Sequence, residues 1–104
     1  MRTEVINRLT MLGQEVAARI DPRAPGRRAW IVVYPAGKGR EAFLVRRFEI
    51  TDEVLDHDYD IHPNHLLNME ESSVADVDQL DAAIQRLGGD PNEIDAPWKV
   101  DYPL

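Results

Sequence analysis

The sequence contains no cysteine, which excludes disulfide bonds and metal sites built on thiolate ligands. A cysteine-free chain of 104 residues suits a reducing compartment and is long enough to fold without cross-links. Long apolar runs are missing too, since the longest covers residues 29–33 and is far too short to span a membrane. The first residues also lack the apolar core of a secretion signal. We therefore expect one cytoplasmic domain over residues 1–104.

Motifs that specify a reaction are absent as well. The segment Gly37–Gly39 lacks the spacing of a phosphate-binding loop and joins two predicted strands rather than a strand and a helix. No Ser-His-Asp arrangement stands out, and pairs such as Asp56 and Asp58 are common by chance where carboxylates are so frequent. The sequence thus predicts no catalytic residue, no enzymatic activity and no cofactor.

Basic residues are scarce in the second half of the chain. Residues 51–104 contain two basic and fourteen acidic residues, a net charge of −12, whereas residues 1–50 carry +5. Direct nucleic-acid binding is not expected, because the acidic half would repel a polyanion. The arginines that could meet phosphates, with the last two of most interest, are Arg23, Arg27, Arg28, Arg40, Arg46 and Arg47. We expect some of them to pair with the protein's own carboxylates instead.

Three histidines interleave with three aspartates where the charge changes sign. They are His57, His62 and His65, with Asp56, Asp58 and Asp60. Imidazole and carboxylate both bind zinc and related metals, so a metal-binding protein or enzyme is one alternative. Pro63 opposes a helix that would align the last two rings. A solvated loop without metal ligands is the favoured interpretation.

Helical spacing of apolar residues predicts a first helix over residues 3–20, with Thr3 as N-cap, followed by a loop over 22–28. Residues 29–34 and 42–50 read as strands of a hairpin joined by a turn at 35–39. Neither face of the second strand is cleanly apolar. We therefore expect the end of that strand to lie near a sheet edge or a partner surface.

A third strand over residues 65–70 would support the hairpin, although a helix over 63–71 competes with it. Residues 73–87 predict a second helix, with Ser73 and Asp76 as a capping box and Gly88 as a left-handed end. Residues 98–102 suggest a short edge strand. The predicted fold is α+β, a small antiparallel sheet with two amphipathic helices. The side chains expected to be buried are Trp30, Ile31, Val33, Phe43, Val45, Leu80, Ile84 and Leu87.

Two segments, TDEVLDHDYD and DPNEIDAPWKVDYP, concentrate the acidic residues and place aromatic side chains among them. With about a hundred residues, α/β content and no cysteine, the whole chain resembles the small acidic immunity proteins of bacterial toxin–immunity pairs, including those of contact-dependent growth inhibition. The resemblance implies a protein without chemistry of its own. Such a protein binds a cognate toxin domain, often a basic nuclease, and blocks its active site or its substrate-binding face.

An acidic rim around an aromatic anchor is typical of a tight protein-binding surface, and an acidic face attracts a basic partner. We expect one such face for a basic protein partner. Its predicted residues are Asp52, Glu53, Asp56, Asp58, Tyr59, Asp60, Glu93, Asp95, Trp98 and Asp101. An acidic adaptor subunit, or a highly charged face with no partner, are the other interpretations of the same charge.

Overall fold

The computed structural model of the protein describes residues 1–36, 42–57 and 60–104. These residues form a four-stranded antiparallel sheet whose strands lie side by side in sequence order. The strands are β1 (Val16–Ile20), β2 (Arg27–Tyr34), β3 (Phe43–Thr51) and β4 (Leu67–Val74). The α-helices are α1 (Thr3–Thr10), α2 (Asp52–Asp56) and α3 (Leu80–Arg86). Short 3₁₀ helices lie at Pro63–His65, Val77–Gln79, Pro91–Glu93 and Pro97–Val100. The predicted α+β fold is confirmed.

Both faces of the sheet are covered, by different elements. On the face that we call the helix face, α1 and α3 pack over alternate strand residues such as Val16, Ile31 and Val45. On the opposite face, which we call the tail face, Trp30, Val32, Phe48 and Ile50 form a second core. The partly buried residues that close this second core are Tyr34, Val54, Leu55, Ile61, Leu66, Val100 and Tyr102. A strand buried on both faces reads as a continuous apolar run, which explains the run at residues 29–33.

β3 is a central strand, paired with β2 on one side and β4 on the other. The sheet-edge alternative predicted for the end of the second strand is therefore wrong, whereas the partner-surface alternative stays a prediction. Its polar residues have partners inside the sheet, since Arg46 opposes Glu71 and Arg47 opposes Glu70 in β4. The antiparallel register thus brings arginines from the basic half next to glutamates from the acidic half.

The first predicted helix is wrong beyond Thr10. α1 ends there, and Gly13 takes a positive φ of 62°, a conformation that glycine adopts without cost. The chain then enters β1, where Val16 and Ala18 point to the helix face. Residues four apart share one side of a helix but also one face of a strand, so the spacing of Val16 and Ile20 fits both structures.

The start of α1 also differs from the prediction. Arg2, not Thr3, is the N-cap residue, and its side chain makes no capping hydrogen bond. Further along, the predicted loop over 22–28 is shortened because β2 begins at Arg27. The hairpin is confirmed by the antiparallel pairing of β2 with β3. Residues 37–39 of the predicted turn lie outside the described part of the chain, as do residues 40 and 41.

The second half of the chain shows similar shifts. The third strand exists, but as Leu67–Val74, so Ser73 is a strand residue and not part of a capping box. The helix predicted over 73–87 is reduced to α3 after one 3₁₀ turn. Gly88 does provide the left-handed end, with φ 96°. The tail forms a 3₁₀ helix at Pro97–Val100 instead of an edge strand, because proline at its first position favours a helical turn.

The predicted core is largely confirmed. Trp30 and Phe48 stack across β2 and β3 with ring centroids 6.0 Å apart. Phe43, at the start of β3, is only half-buried and is the one residue of the predicted set that is not fully inside. The confirmed buried residues are Trp30, Ile31, Val33, Val45, Leu80, Ile84 and Leu87.

Candidate partner-binding surface

α2 presents three of the predicted acidic residues. The Thr51 side chain accepts a hydrogen bond from the Val54 N–H at 3.4 Å, which caps the helix at the point where β3 ends. Val54 packs against the tail-face core, so the carboxylates of Asp52, Glu53 and Asp56 are left on the outer side. Acidic residues in the first turn also suit the positive end of a helix.

Arg28 neutralises part of this acidic turn. Its guanidinium lies 3.2 Å from Asp52 and 2.8 Å from Asp56, measured between nitrogen and carboxylate oxygen. Glu53 is exposed and has no ion-pair partner among the described residues. The same holds for Asp60, which precedes Ile61 on the tail face. Of the acidic stretch at residues 52–60, Glu53 and Asp60 are therefore the described carboxylates most available to a partner.

The C-terminal tail holds an exposed tryptophan on a well-anchored 3₁₀ turn. Trp98 is 69% exposed, although the residues around it are fixed to the sheet. The Trp30 indole N–H donates to the Val100 carbonyl at 2.9 Å, and the hydroxyls of Tyr34 and Tyr102 lie 3.3 Å apart. Burial raises the pKa of Tyr102, and its hydrogen bond to Tyr34 does so further. Trp98 is thus a large exposed aromatic side chain on a turn that these hydrogen bonds fix to the sheet.

Asp95 has a structural role in this arrangement. Its backbone forms an isolated bridge with Ala17 of β1, with both hydrogen bonds at 2.8 Å. Its carboxylate lies 2.6 Å from Arg2 and 3.8 Å from Lys99. The hydrogen bond from Arg2 is the main reason that the pKa of Asp95 is lowered. Asp95 fastens the tail to the outer edge of β1, which leaves little of its charge for a partner.

The predicted residues only partly come together. α2 and the turn carrying Trp98 and Asp101 cover the same face of the sheet, as the shared tail-face core shows. Glu93 belongs to the turn before Ile94, which packs in the helix-face core, and it lines a cleft of about 560 Å³ with Asp21 and Asp90. Asp58 and Tyr59 lie outside the described residues. The membership of the remaining residues in one interface stays a prediction.

The arginines of the basic half are largely paired internally, as expected. Ion pairs join the two halves of the sequence at Arg2–Asp95, Arg23–Glu70, Arg28–Asp52, Arg28–Asp56 and Arg46–Glu71. Arg46 also lies over the Tyr34 ring, 5.4 Å from its centroid. Arg40 is outside the described residues. The separation of charge along the sequence is therefore reduced in space, because sheet pairing mixes the two halves.

A buried ionic cluster that the sequence did not predict surrounds Glu49. This carboxylate is fully buried and accepts from the Arg23 N–H at 2.8 Å and from Arg47 at 3.0 Å. Asn68 donates at 3.2 Å and Arg27 at 3.4 Å. Burial by itself raises the pKa of Glu49, but these donors outweigh it and lower the pKa to about 2.

Local backbone geometry supports this cluster. β4 has two residues, Asn68 and Met69, opposite the single β3 residue Phe48, which is a bulge. Asn68 takes φ 50° there, in the left-handed region that asparagine tolerates better than most residues. The bulge lets the Asn68 amide reach Glu49. No pattern in the sequence marks this contact, because its members are far apart in the chain.

The histidine cluster does not form a metal centre in the described part of the chain. Among residues 1–36, 42–57 and 60–104, no group of three or more His, Asp or Glu side chains could hold a metal ion. The backbone N–H of His62 donates to Nδ1 of His65 at 3.1 Å, so that ring nitrogen already has a partner.

The described part of the chain contains no helix long and apolar enough to cross a bilayer.

Residues near Trp98 that sequence analysis missed come from the first helix and the loop after it. The Arg8 guanidinium lies over the Trp98 ring, 4.5 Å from its centroid. Arg8 also lines a second cleft, of about 570 Å³, together with Glu15 and Tyr34. Leu12 falls within the helix predicted over residues 3–20 but is 66% exposed after the end of α1. Gly13 is a local signal for this early end, since glycine disfavours the interior of a helix.

Comparison with models of protein families, with curated proteins and with solved structures finds no match.

Proposed function

We propose that the protein is an immunity-type inhibitor without a catalytic role, and that it binds a basic partner protein. The partner that we favour is a cognate toxin domain with nuclease activity. The observation that carries the proposal is the exposed Trp98 on its anchored turn. The residues that contribute most to protein-binding interfaces are enriched in tryptophan. A tryptophan on an anchored turn also loses little conformational entropy when a partner binds. At 69% exposure the Trp98 side chain offers a partner a large apolar area to cover.

Charge supports a basic partner rather than an acidic one. The chain carries a net charge of −7, and Asp101 next to the Trp98 turn is exposed without an ion pair in the described structure. Glu53 and Asp60 lie on the same sheet face as the tail. Together they would form an acidic rim that steers a basic surface toward the tryptophan. Blocking of the toxin's substrate face and action in the cytoplasm belong to this proposal.

The first test compares two double variants that lose the same charge on opposite faces. Glu53→Gln with Asp60→Asn removes two carboxylates from the tail face, and Asp76→Asn with Asp78→Asn removes two near the start of α3 on the helix face. Stopped-flow association with the product of the neighbouring gene is measured at several salt concentrations. An immunity gene lies directly beside the gene of its toxin, which makes that product the appropriate probe.

We expect the tail-face variant to associate about 3- to 10-fold more slowly at low salt and with a weaker salt dependence. The helix-face variant should change the rate less, since only the net charge is altered. Equal effects would show that net charge alone matters and that no acidic face exists. A neighbouring product that does not bind the unchanged protein at all would overturn the immunity proposal itself.

A further inference from the structure

The three most exposed large apolar side chains among the described residues belong to two segments that meet at Arg8. Met11 is 77% exposed, Leu12 66% and Trp98 69%. Met11 is the C-cap residue of α1 and Leu12 follows it, three and four residues after Arg8. Because residues at these spacings are neighbours on a helical turn, we place both of them beside Arg8 at the end of the helix. Trp98 reaches the same place from the tail and stacks on Arg8. Two segments distant in sequence thus contribute to one apolar surface.

Arg8 holds these segments together at the outer edge of β1. Its Nε donates to the Glu15 carbonyl at 3.1 Å, and the Arg8 carbonyl accepts from the Gln14 N–H at 3.2 Å. The guanidinium is therefore committed both to the loop before β1 and to the Trp98 ring. These contacts support the surface from within the chain and leave the positive charge of Arg8 in place.

A carboxylate without an ion pair lies beside this surface. Glu15 is half-buried in the cleft of about 570 Å³ that it lines with Arg8, Tyr34 and Pro35. In the described part of the chain it has no cationic partner within ion-pair distance, and the exposed Asp101 has none either. A half-buried carboxylate that lacks a cation gains most from a cation supplied by a ligand.

We propose that one surface forms the centre of the partner interface and accepts apolar side chains flanked by a lysine or arginine. This surface, which we call the β1-edge patch, consists of Arg8, Met11, Leu12, Glu15 and Trp98. The apolar residues of the partner would cover Met11, Leu12 and Trp98. The flanking cation would enter the cleft and pair with Glu15. This inference rests on the proposed function and extends its interface into the basic half of the sequence.

The chemistry of the patch is tested first without the toxin. The probe is the peptide acetyl-Lys-Leu-Leu-Lys-amide, with acetyl-Glu-Leu-Leu-Glu-amide as its charge-reversed control. Nuclear magnetic resonance follows the two indole N–H signals of the protein. Trp30 is buried and donates to the Val100 carbonyl, so it serves as an internal reference for Trp98. We expect the basic peptide to shift the Trp98 signal saturably at roughly millimolar concentration, with a much smaller shift of Trp30.

Single variants then locate the response. Leu12→Ser and Glu15→Gln should each weaken peptide binding about 3-fold or more, whereas Met69→Ser, a matched exposed apolar position on β4, should not change it. Circular dichroism and thermal unfolding confirm that each variant is folded. Equal responses to the two peptides, or no shift at Trp98, would overturn the proposal.

The neighbouring gene product separates this proposal from the function it rests on. Binding that falls at least about 10-fold on Leu12→Ser but not on Met69→Ser supports both. Binding unaffected by Leu12→Ser and Trp98→Ala keeps the immunity function and overturns the patch. Selective peptide binding without binding of the gene product supports the chemistry of the patch and overturns the toxin as its partner. Sedimentation showing a dimer that Leu12→Ser abolishes would assign the patch to a second copy of the chain and overturn the proposal.

Discussion

The Glu49 cluster and the β1-edge patch both combine arginine with glutamate, but their surroundings differ. Glu49 is fully buried and accepts hydrogen bonds from four residues, including the nearly buried Arg47. At the patch, Glu15 is half-buried without a cation in the described structure, and Arg8 stacks on the exposed Trp98. The carboxylate of the first site has its donors within the chain, whereas that of the second could still gain a cation from a partner.

This difference teaches that the charge of a segment does not show how much of it is available for binding. Ion pairs such as Arg23–Glu70 and Arg46–Glu71 occupy carboxylates of the acidic half, which leaves less of its charge for a partner. The basic half in turn supplies the glutamate and the exposed apolar residues next to Trp98. Availability depends on which charges the fold leaves unpaired, and the predictions below probe that distinction.

The largest expected effect is on stability, from Glu49→Gln. The variant leaves Arg47 buried without its countercharge, and one of its guanidinium nitrogens already has no hydrogen-bond partner among the described residues. We expect the free energy of unfolding to fall by about 3–5 kcal/mol. Denaturant unfolding measures it, with Glu71→Gln as control, since that exposed pair should be worth no more than about 1 kcal/mol. Equal losses in the two variants would remove the distinction between buried and exposed pairs.

The same carboxylate should make stability depend on acidic pH. The folded-state pKa of Glu49 is about 2, below its ordinary value of 4.5. Its contribution is therefore complete above about pH 4.5 and is lost as the pH falls toward 2. A shift of this size corresponds to about 3 kcal/mol. Denaturant unfolding between pH 6 and pH 2 measures how the free energy of unfolding falls with pH, and this fall should be smaller in Glu49→Gln. An unchanged pH dependence would assign the acid sensitivity to other carboxylates.

Trp98→Ala should separate binding from folding. The side chain is mostly in solvent and its exposed stacking on Arg8 is worth about 0.5–1 kcal/mol, so the free energy of unfolding should fall by no more than about 1 kcal/mol. Binding to the neighbouring gene product should weaken by about 2 kcal/mol, chiefly through faster dissociation. Calorimetry and surface plasmon resonance measure the two quantities on one preparation. A variant that loses stability but keeps affinity would make Trp98 a packing residue of the tail.

Arg28→Gln gives the smallest and most diagnostic effect. Arg28 pairs with Asp52 and Asp56, so its removal exposes two carboxylates on the tail face. Association with the neighbouring gene product should become about 2-fold faster at low salt. Arg86→Gln, at the end of α3 on the helix face, makes the same change in net charge and is the control. Slower association of Arg28→Gln would mean that the ion pairs hold α2 in its binding geometry.

Local sequence patterns were sufficient to predict the type of an element where its residue composition favoured only one type of secondary structure. The β-branched and aromatic runs that became β2 and β3 and the glycine at the end of α3 led to correct predictions of type, with boundaries shifted by a few residues. The region at residues 11–20 failed because an apolar spacing of four residues is compatible with a helix face and with a strand face. Only pairing with β2, in which Val16 opposes Val33, distinguishes them.

The candidate surface divides in the same way. Trp98 and Asp101 could be proposed from the sequence because an aromatic residue among carboxylates is typical of a protein-binding surface. Arg8, Glu15 and Leu12 could not, since their proximity to Trp98 depends on the Ala17–Asp95 bridge that brings the tail to β1. A contact between residues about ninety positions apart leaves no local signal.

By itself, the sequence determined the α+β class, the apolar strands and the net charge, because these depend on composition and short-range periodicity. The tertiary structure decided which charges remain available. Antiparallel pairing of β3 with β4 sets arginines of one half against glutamates of the other, and burial encloses Glu49 among its donors. At the outer edge of β1 no such pairing satisfies Glu15 or covers Trp98 within the described residues. Electrostatic and apolar contacts act through space, so only the fold establishes which of them the chain completes internally.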